Sequence, residues 1–162
     1  MDAVDIAVRL IGALVVGGAI GVNRDLHHKP VGLRTLSLVG LGSALAVLAV
    51  TASGEINAVS RVIQGILTGI GFLGAAVIVR TLDGEHIYGL TTAAATWLTA
   101  CLGVVCGVAE WRVIFIGLPL VFAVLHLGGP IEKAIHRRFR KHGDDTAKDT
   151  AKDGAPKSAL DP

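Results

Sequence analysis

Charged residues divide this chain into long apolar runs. Twenty residues without a formal charge lie between Arg34 and Glu55, and 18 between Arg61 and Arg80. Another 24 lie between Glu85 and Glu110, where only His86 can become charged near neutral pH, and 19 between Arg112 and Glu132, including His126. About 20 apolar residues cross the roughly 30 Å hydrocarbon core as a helix. Lipid cannot hydrogen-bond exposed backbone, and the runs lack the period-2 alternation of barrel strands, so they predict helices. A further span lies between Asp5 and Arg24, interrupted one turn in by Arg9, whose long side chain can reach the interface. The pattern predicts an all-α integral membrane protein with spans near 5–22, 35–53, 62–79, 90–109 and 112–129, making 1–130 the transmembrane domain.

Composition sharpens this reading. Of 162 residues, 52% are hydrophobic and 17% charged, against about a quarter charged in a soluble domain. The profile excludes an ordinary soluble domain, disorder over most of the chain, and a large second domain. The N-terminus, Met1-Asp2-Ala3-Val4-Asp5, is acidic. A secretory signal begins with a basic stretch, so the first helix is expected to remain in the mature protein. Cys101 and Cys106 both fall in the fourth span and read as small packing residues.

Lysine and arginine bias sets an expected orientation. Arg24, Lys29 and Arg34 follow the first span, Arg80 the third, and Lys133, Arg137, Arg138, Arg140 and Lys141 the fifth. The opposite side holds Arg61, Arg112 and Arg9. The expectation is a bacterial inner-membrane topology with the N-terminus outside and the C-terminus cytoplasmic. In the basic segment 131–142, Ile131, Ile135 and Phe139 recur every four residues. That suits either a helix on an anionic lipid surface or a continuation of the fifth helix into water. The stretch 143–162 repeats DTAK in tandem and reads as a disordered cytoplasmic tail.

An offset of 57 residues aligns the sequence with itself. Eleven identities fall over the 38 positions from 10 to 47, among them Gly12 with Gly69, Gly17 with Gly74, Gly32 with Gly89 and Thr35 with Thr92. Two tandem parallel-repeat hairpins plus a fifth helix are the expected architecture. Gly17/Gly21, Gly65/Gly69 and Gly103/Gly107 each form G-x-x-x-G, which brings helix backbones close in lipid. The pattern serves contacts within one chain or between two, so a homodimer stays open. Gly69, Gly71 and Gly74 spell G-x-G-x-x-G, but within an apolar span and without a preceding strand. A dinucleotide fingerprint needs a βαβ unit, so helix packing or pore lining explains these glycines better.

Candidate chemistry is sparse. No Asp or Glu lies centrally in a span, and no HExxH, CxxC or Ser-His-Asp arrangement is present. Neither a metal site, a cofactor, an enzyme nor nucleic-acid binding is expected. The polar residues gather at one end: Arg24, Asp25, Lys29, Gly32, Arg34 and Thr35 after the first span, then Arg80, Thr91 and Thr92. Helix N-termini attract anions and threonine can cap them. The starts Gly32-Leu-Arg-Thr35 and Gly89-Leu-Thr-Thr92, with Arg34 and Arg80, are a candidate site for a phosphate, a lipid head group or a partner. Capping plus positive-inside topology accounts for the same residues without a ligand.

The blocks Gly18-Ala-Ile-Gly-Val-Asn-Arg24-Asp25, Lys29-Pro-Val-Gly-Leu-Arg-Thr35, Gly69-Ile-Gly-Phe-Leu-Gly-Ala75 and Gly89-Leu-Thr-Thr-Ala-Ala94 with Trp97 resemble the MgtC/SapB membrane-protein family, over about residues 6–128. The resemblance implies a bacterial inner-membrane protein tied to growth in low magnesium, and in pathogens to survival inside macrophages. It implies action by contact with other membrane proteins, the ATP synthase among them, rather than magnesium transport. Two positions depart from the family pattern: Asn23 stands where a Glu is usual, and Ala76 where a Gly is usual. The soluble C-terminal domain of many members is not in this sequence. The expected function is a non-enzymatic regulator of low-magnesium or acid-stress adaptation. A small transporter or channel lined by the glycine-rich third helix, and a passive lipid-binding scaffold, are the alternatives.

Overall fold

A computed structural model describes residues 1–51, 54–80 and 87–130, with backbone alone at Ile56, Val79, Arg80 and Ile87. Five helices follow in order: α1 (Ala3–Leu26), α2 (Leu33–Thr51), α3 (Ile56–Ala76), α4 (Leu90–Gly107) and α5 (Trp111–Pro130). Each is long and apolar enough to cross a membrane. Between α3 and α4, a two-residue antiparallel ribbon pairs Val79 with Tyr88 and Arg80 with Ile87. The chain divides into two compact units, Met1–Leu118 and the part from Pro119 onward. In the second, residues 119–130 are helical. The basic segment 131–142 and the tail 143–162 lie outside the described residues.

The helix ends have local causes. Asp5 in the first turn of α1 and Arg24 in its last turn oppose the helix dipole. Beyond Leu26, the Lys29 N–H turns back to the Arg24 carbonyl at 3.0 Å, and Pro30 prevents continuation. The helix α3 begins at Ile56, six residues before its hydropathy span, because Arg61 sits exposed on its surface and does not interrupt it. Ala109, in a left-handed conformation (φ 62°), closes α4, and the Glu110 N–H bonds the Val105 carbonyl at 3.1 Å.

In the first unit, α1, α2 and α4 form the core. Ala13, Val16 and Ile20 of α1, Leu36 and Val47 of α2, and Ala100 and Cys106 of α4 are buried. Contact is close because small residues line the crossings. A Cβ added to Gly40 of α2 would lie 2.8 Å from the Ala13 carbonyl oxygen of α1. One added to Gly103 of α4 would collide with the Gly40 carbonyl oxygen. In lipid, where the hydrophobic effect gives no drive between helices, such backbone approach supplies the packing. The buried hydroxyls of Ser43, Thr96 and Thr99 donate to the carbonyls four residues back, at 2.8–2.9 Å, so they cost little in an apolar interior. The helix α3 lies against α2 and α4 and buries far less; among its described side chains and glycines, Ile70 and Gly74 are buried.

Candidate functional site

The ends of α1 and α3 and the starts of α2 and α4 meet at one end of the first unit, and Arg24 sits among them. Although it belongs to the last turn of α1, Arg24 is only 3% exposed. Its Nη2 donates to Thr92 Oγ1 in the first turn of α4. Its Nε is buried and has no hydrogen-bond partner. Next to it, Asp25 has a different role. Asp25 Oδ2 accepts the Leu33 N–H at 2.9 Å and thereby caps the start of α2. A Cβ on Gly32 would occupy the place of the Asp25 carboxylate, which is why glycine precedes this helix. Val31, a β-branched residue at φ 64°, strains the same loop. The capping expected of Thr35, which is exposed, is thus done by Asp25.

The start of α4 differs. Its N-cap is Gly89, at φ +93°, and no described side chain caps the helix. Glycine is required there, because a Cβ would meet the Val77 carbonyl oxygen. Thr91 is exposed and Thr92 is buried against Arg24.

The candidate residues therefore separate. Arg24, Asp25, Gly32 and Thr92 come together. Lys29, Arg34, Thr35 and Thr91 are exposed around them. The Arg80 side chain falls outside the described residues, as do Asp83 and Glu85. Among the described residues, no three His, Cys, Asp or Glu side chains are grouped as metal ligands would be.

The packing glycines also separate. Gly17 and Gly21 of α1 abut the α2 backbone at Leu36 and Leu33, and Gly103 and Gly107 of α4 abut α2 at Gly40 and at Ala44 and Val47. A Cβ added to Gly74 would lie 3.5 Å from the Ala93 Cβ, an ordinary contact. Gly65, Gly69 and Gly71 face open space. They share the outer surface of α3 with Asn57, Ser60, Arg61, Gln64 and Thr68, all exposed. The side chains of Ile66 and Ile70 point the other way, into an open apolar cleft of about 400 Å³ that α2 also lines. This polar face was not among the expected sites. Hydropathy averaged along a helix hides it, whereas the spacing 57, 61, 64, 68 places it on one side of a 3.6-residue helix.

Two arginines thus pin α1 to α4, one at each end. At the other end, Arg9 Nη1 donates to the Gly107 carbonyl at 2.8 Å, and Arg9 pairs with Asp5 at 2.8 Å. There the guanidinium meets the negative end of the α4 dipole. At Arg24 a guanidinium meets the positive end.

The profile of the MgtC family matches residues 10–134. The chain is similar to Protein SrpB of Synechococcus elongatus, 41% identical over 140 residues, or 79% of this chain and 76% of that protein. It is 36% identical to Protein MgtC of Brucella abortus over 135 residues, 83% of this chain and 56% of that protein. With Protein MgtC of Salmonella typhimurium the identity is 38% over 103 residues, 64% of this chain and 43% of that protein. The match thus spans about half the length of these MgtC proteins. No solved structure matches the chain.

Proposed function

This chain belongs to the MgtC family, and from that premise we propose that it is a non-enzymatic regulator of the bacterial inner membrane, active in low-magnesium or acid-stress adaptation through contacts with another membrane protein. The observation that carries the contact is the outer face of α3. Gln64 lies two residues from the helix midpoint, about 3 Å along the axis at 1.5 Å per residue, and is exposed. Thr68 is exposed one turn further on. Lipid satisfies neither group, and polar side chains at helix surfaces in membranes join neighbouring helices. Gly65 and Gly69 beside them leave room for a second backbone. The partner is a transmembrane helix with small or hydrogen-bonding residues. Positive-inside bias supports a cytoplasmic Arg24 end.

The same face also suits a water-lined path, which is the transporter reading. Purification of the tagged chain from its own membranes tests both. The expected result is a stoichiometric partner that is lost in Gln64→Leu, while the variant remains inserted and folded. Protein-dependent magnesium or small-anion flux in liposomes, falling in Arg34→Ala, would replace the regulator reading with the transporter one.

A further inference from the structure

Among the described residues, the start of α4 presents several donors and no anionic acceptor. The Arg24 guanidinium is 3% exposed, and its Nε makes no hydrogen bond. Thr92 Oγ1 accepts from Arg24 Nη2, so its own hydroxyl proton is left to donate. Among the described residues, no side chain caps the N–H groups of Leu90, Thr91 and Thr92. A helix of 18 residues adds about half a positive charge at this end. A buried guanidinium and a helix N-terminus therefore converge, and no described carboxylate answers them. Asp25, the residue after Arg24, spends Oδ2 on the Leu33 N–H.

The two helix starts make an internal comparison. The 57-residue offset aligns Gly32-Leu33 with Gly89-Leu90, and it aligns Asp25 with Leu82. At α2 the chain supplies its own carboxylate. At α4 the aligned position is apolar. Buried charge without a partner is costly, and an oxyanion relieves it here by accepting from several donors at once.

We infer that the start of α4 is an oxyanion site of the phosphate class, formed by Arg24, Thr92 and the uncapped N–H groups of Leu90 and Thr91, with free phosphate or a phospholipid head group as its occupant. The assignment is independent of the α3 contact. It uses Arg24 as the buried cation; Arg34 and Lys29 are exposed.

The test uses the full chain and follows unfolding by the fluorescence of Trp97 and Trp111. In detergent, inorganic phosphate is titrated against chloride at constant ionic strength. In a second arm, in phosphate-free buffer, bilayers of digalactosyldiacylglycerol, whose head group has no phosphate, are compared with bilayers containing phosphatidylglycerol. A ligand that binds the folded form raises the melting temperature with its concentration. The expected result is a rise in one arm. A response to inorganic phosphate identifies free phosphate, and a response confined to phosphatidylglycerol identifies the head group. Thr92→Val should weaken the response about tenfold in phosphate concentration, as the loss of a charge-assisted hydrogen bond does. Arg24 variants risk misfolding, so Thr91→Asp is the second probe. It places a carboxylate in the first turn of α4, and should melt higher without ligand and respond less to it. Equal melting in phosphate and chloride together with equal melting in both bilayers would overturn the site, as would a Thr91→Asp variant that responds like the parent chain.

Discussion

Replacing Gly103 by alanine adds one methyl group where α4 meets the Gly40 carbonyl oxygen of α2. Backbone stands on both sides, so neither helix can yield without shifting along its length. The expected loss is about 1–3 kcal/mol, the usual cost of overpacking, read as a lower unfolding midpoint in detergent. Gly65→Ala is the matched control. Nothing lies within 4 Å of the added atom, and the expected change is within about 0.5 kcal/mol. If α3 docks on a partner, Gly65→Ala should weaken that association without touching the fold. Asp25 allows a sharper test still. Asp25→Ala removes the acceptor of the Leu33 N–H and should destabilise by about 1 kcal/mol, the typical worth of an N-terminal cap. Asp25→Asn keeps an oxygen there and should recover most of that loss.

At the scale of helices, α1 and α4 are joined by the two arginine contacts. Arg9→Met leaves the Gly107 carbonyl without its donor and Asp5 without its cation. The expected cost is about 1–2 kcal/mol, since hydrogen bonds to charged groups lie at the upper end of the range. Hydrogen exchange should quicken at the last turn of α4 and not at its first. Much at this scale was legible in the sequence. Spans of about 20 apolar residues are set by bilayer thickness, and no tertiary contact is needed to read them. The sequence marked nine residues at this end, Arg24, Asp25, Lys29, Gly32, Arg34, Thr35, Arg80, Thr91 and Thr92; the structure joins Arg24 to Thr92 and Asp25 to the Gly32-Leu33 turn, and leaves Lys29, Arg34, Thr35 and Thr91 exposed. What stayed hidden depends on the third dimension. A run of charge-free residues does not tell which side of α3 meets α2, so Gln64 and Thr68 passed as ordinary span residues. The capping of α2 from eight positions upstream also escapes local reading, because helix-start rules look to the residue just before the helix, here Gly32. The three G-x-x-x-G pairs look alike in sequence, yet Gly17/Gly21 and Gly103/Gly107 meet backbone while Gly65/Gly69 meets nothing.

For the whole molecule, the alternation of helix directions leaves one undetermined sign, which end faces the cytoplasm. The Arg24 end carries Lys29 and Arg34 in the loop before α2, while Arg61 lies at the start of α3 toward the other end. Positive residues in short loops resist translocation, so the Arg24 end should be cytoplasmic. Single cysteines decide this without disturbing the bundle. His27 and Asn57 are both exposed, one just past α1 and the other in the first turn of α3. The native Cys106 is fully buried and Cys101 lies in the middle of α4, so neither should react with a charged thiol reagent. An impermeant maleimide added to intact spheroplasts should label Asn57→Cys at once and His27→Cys only after the membrane is opened. The reverse order would put the Arg24 end outside and remove the cytoplasmic placement of the regulator reading. It would leave the oxyanion site in place, because Arg24, Thr92 and the start of α4 meet through the fold whichever way the bundle is inserted. Phosphate titration and labelling therefore fail independently, and together they separate what the helices build from where the membrane puts it.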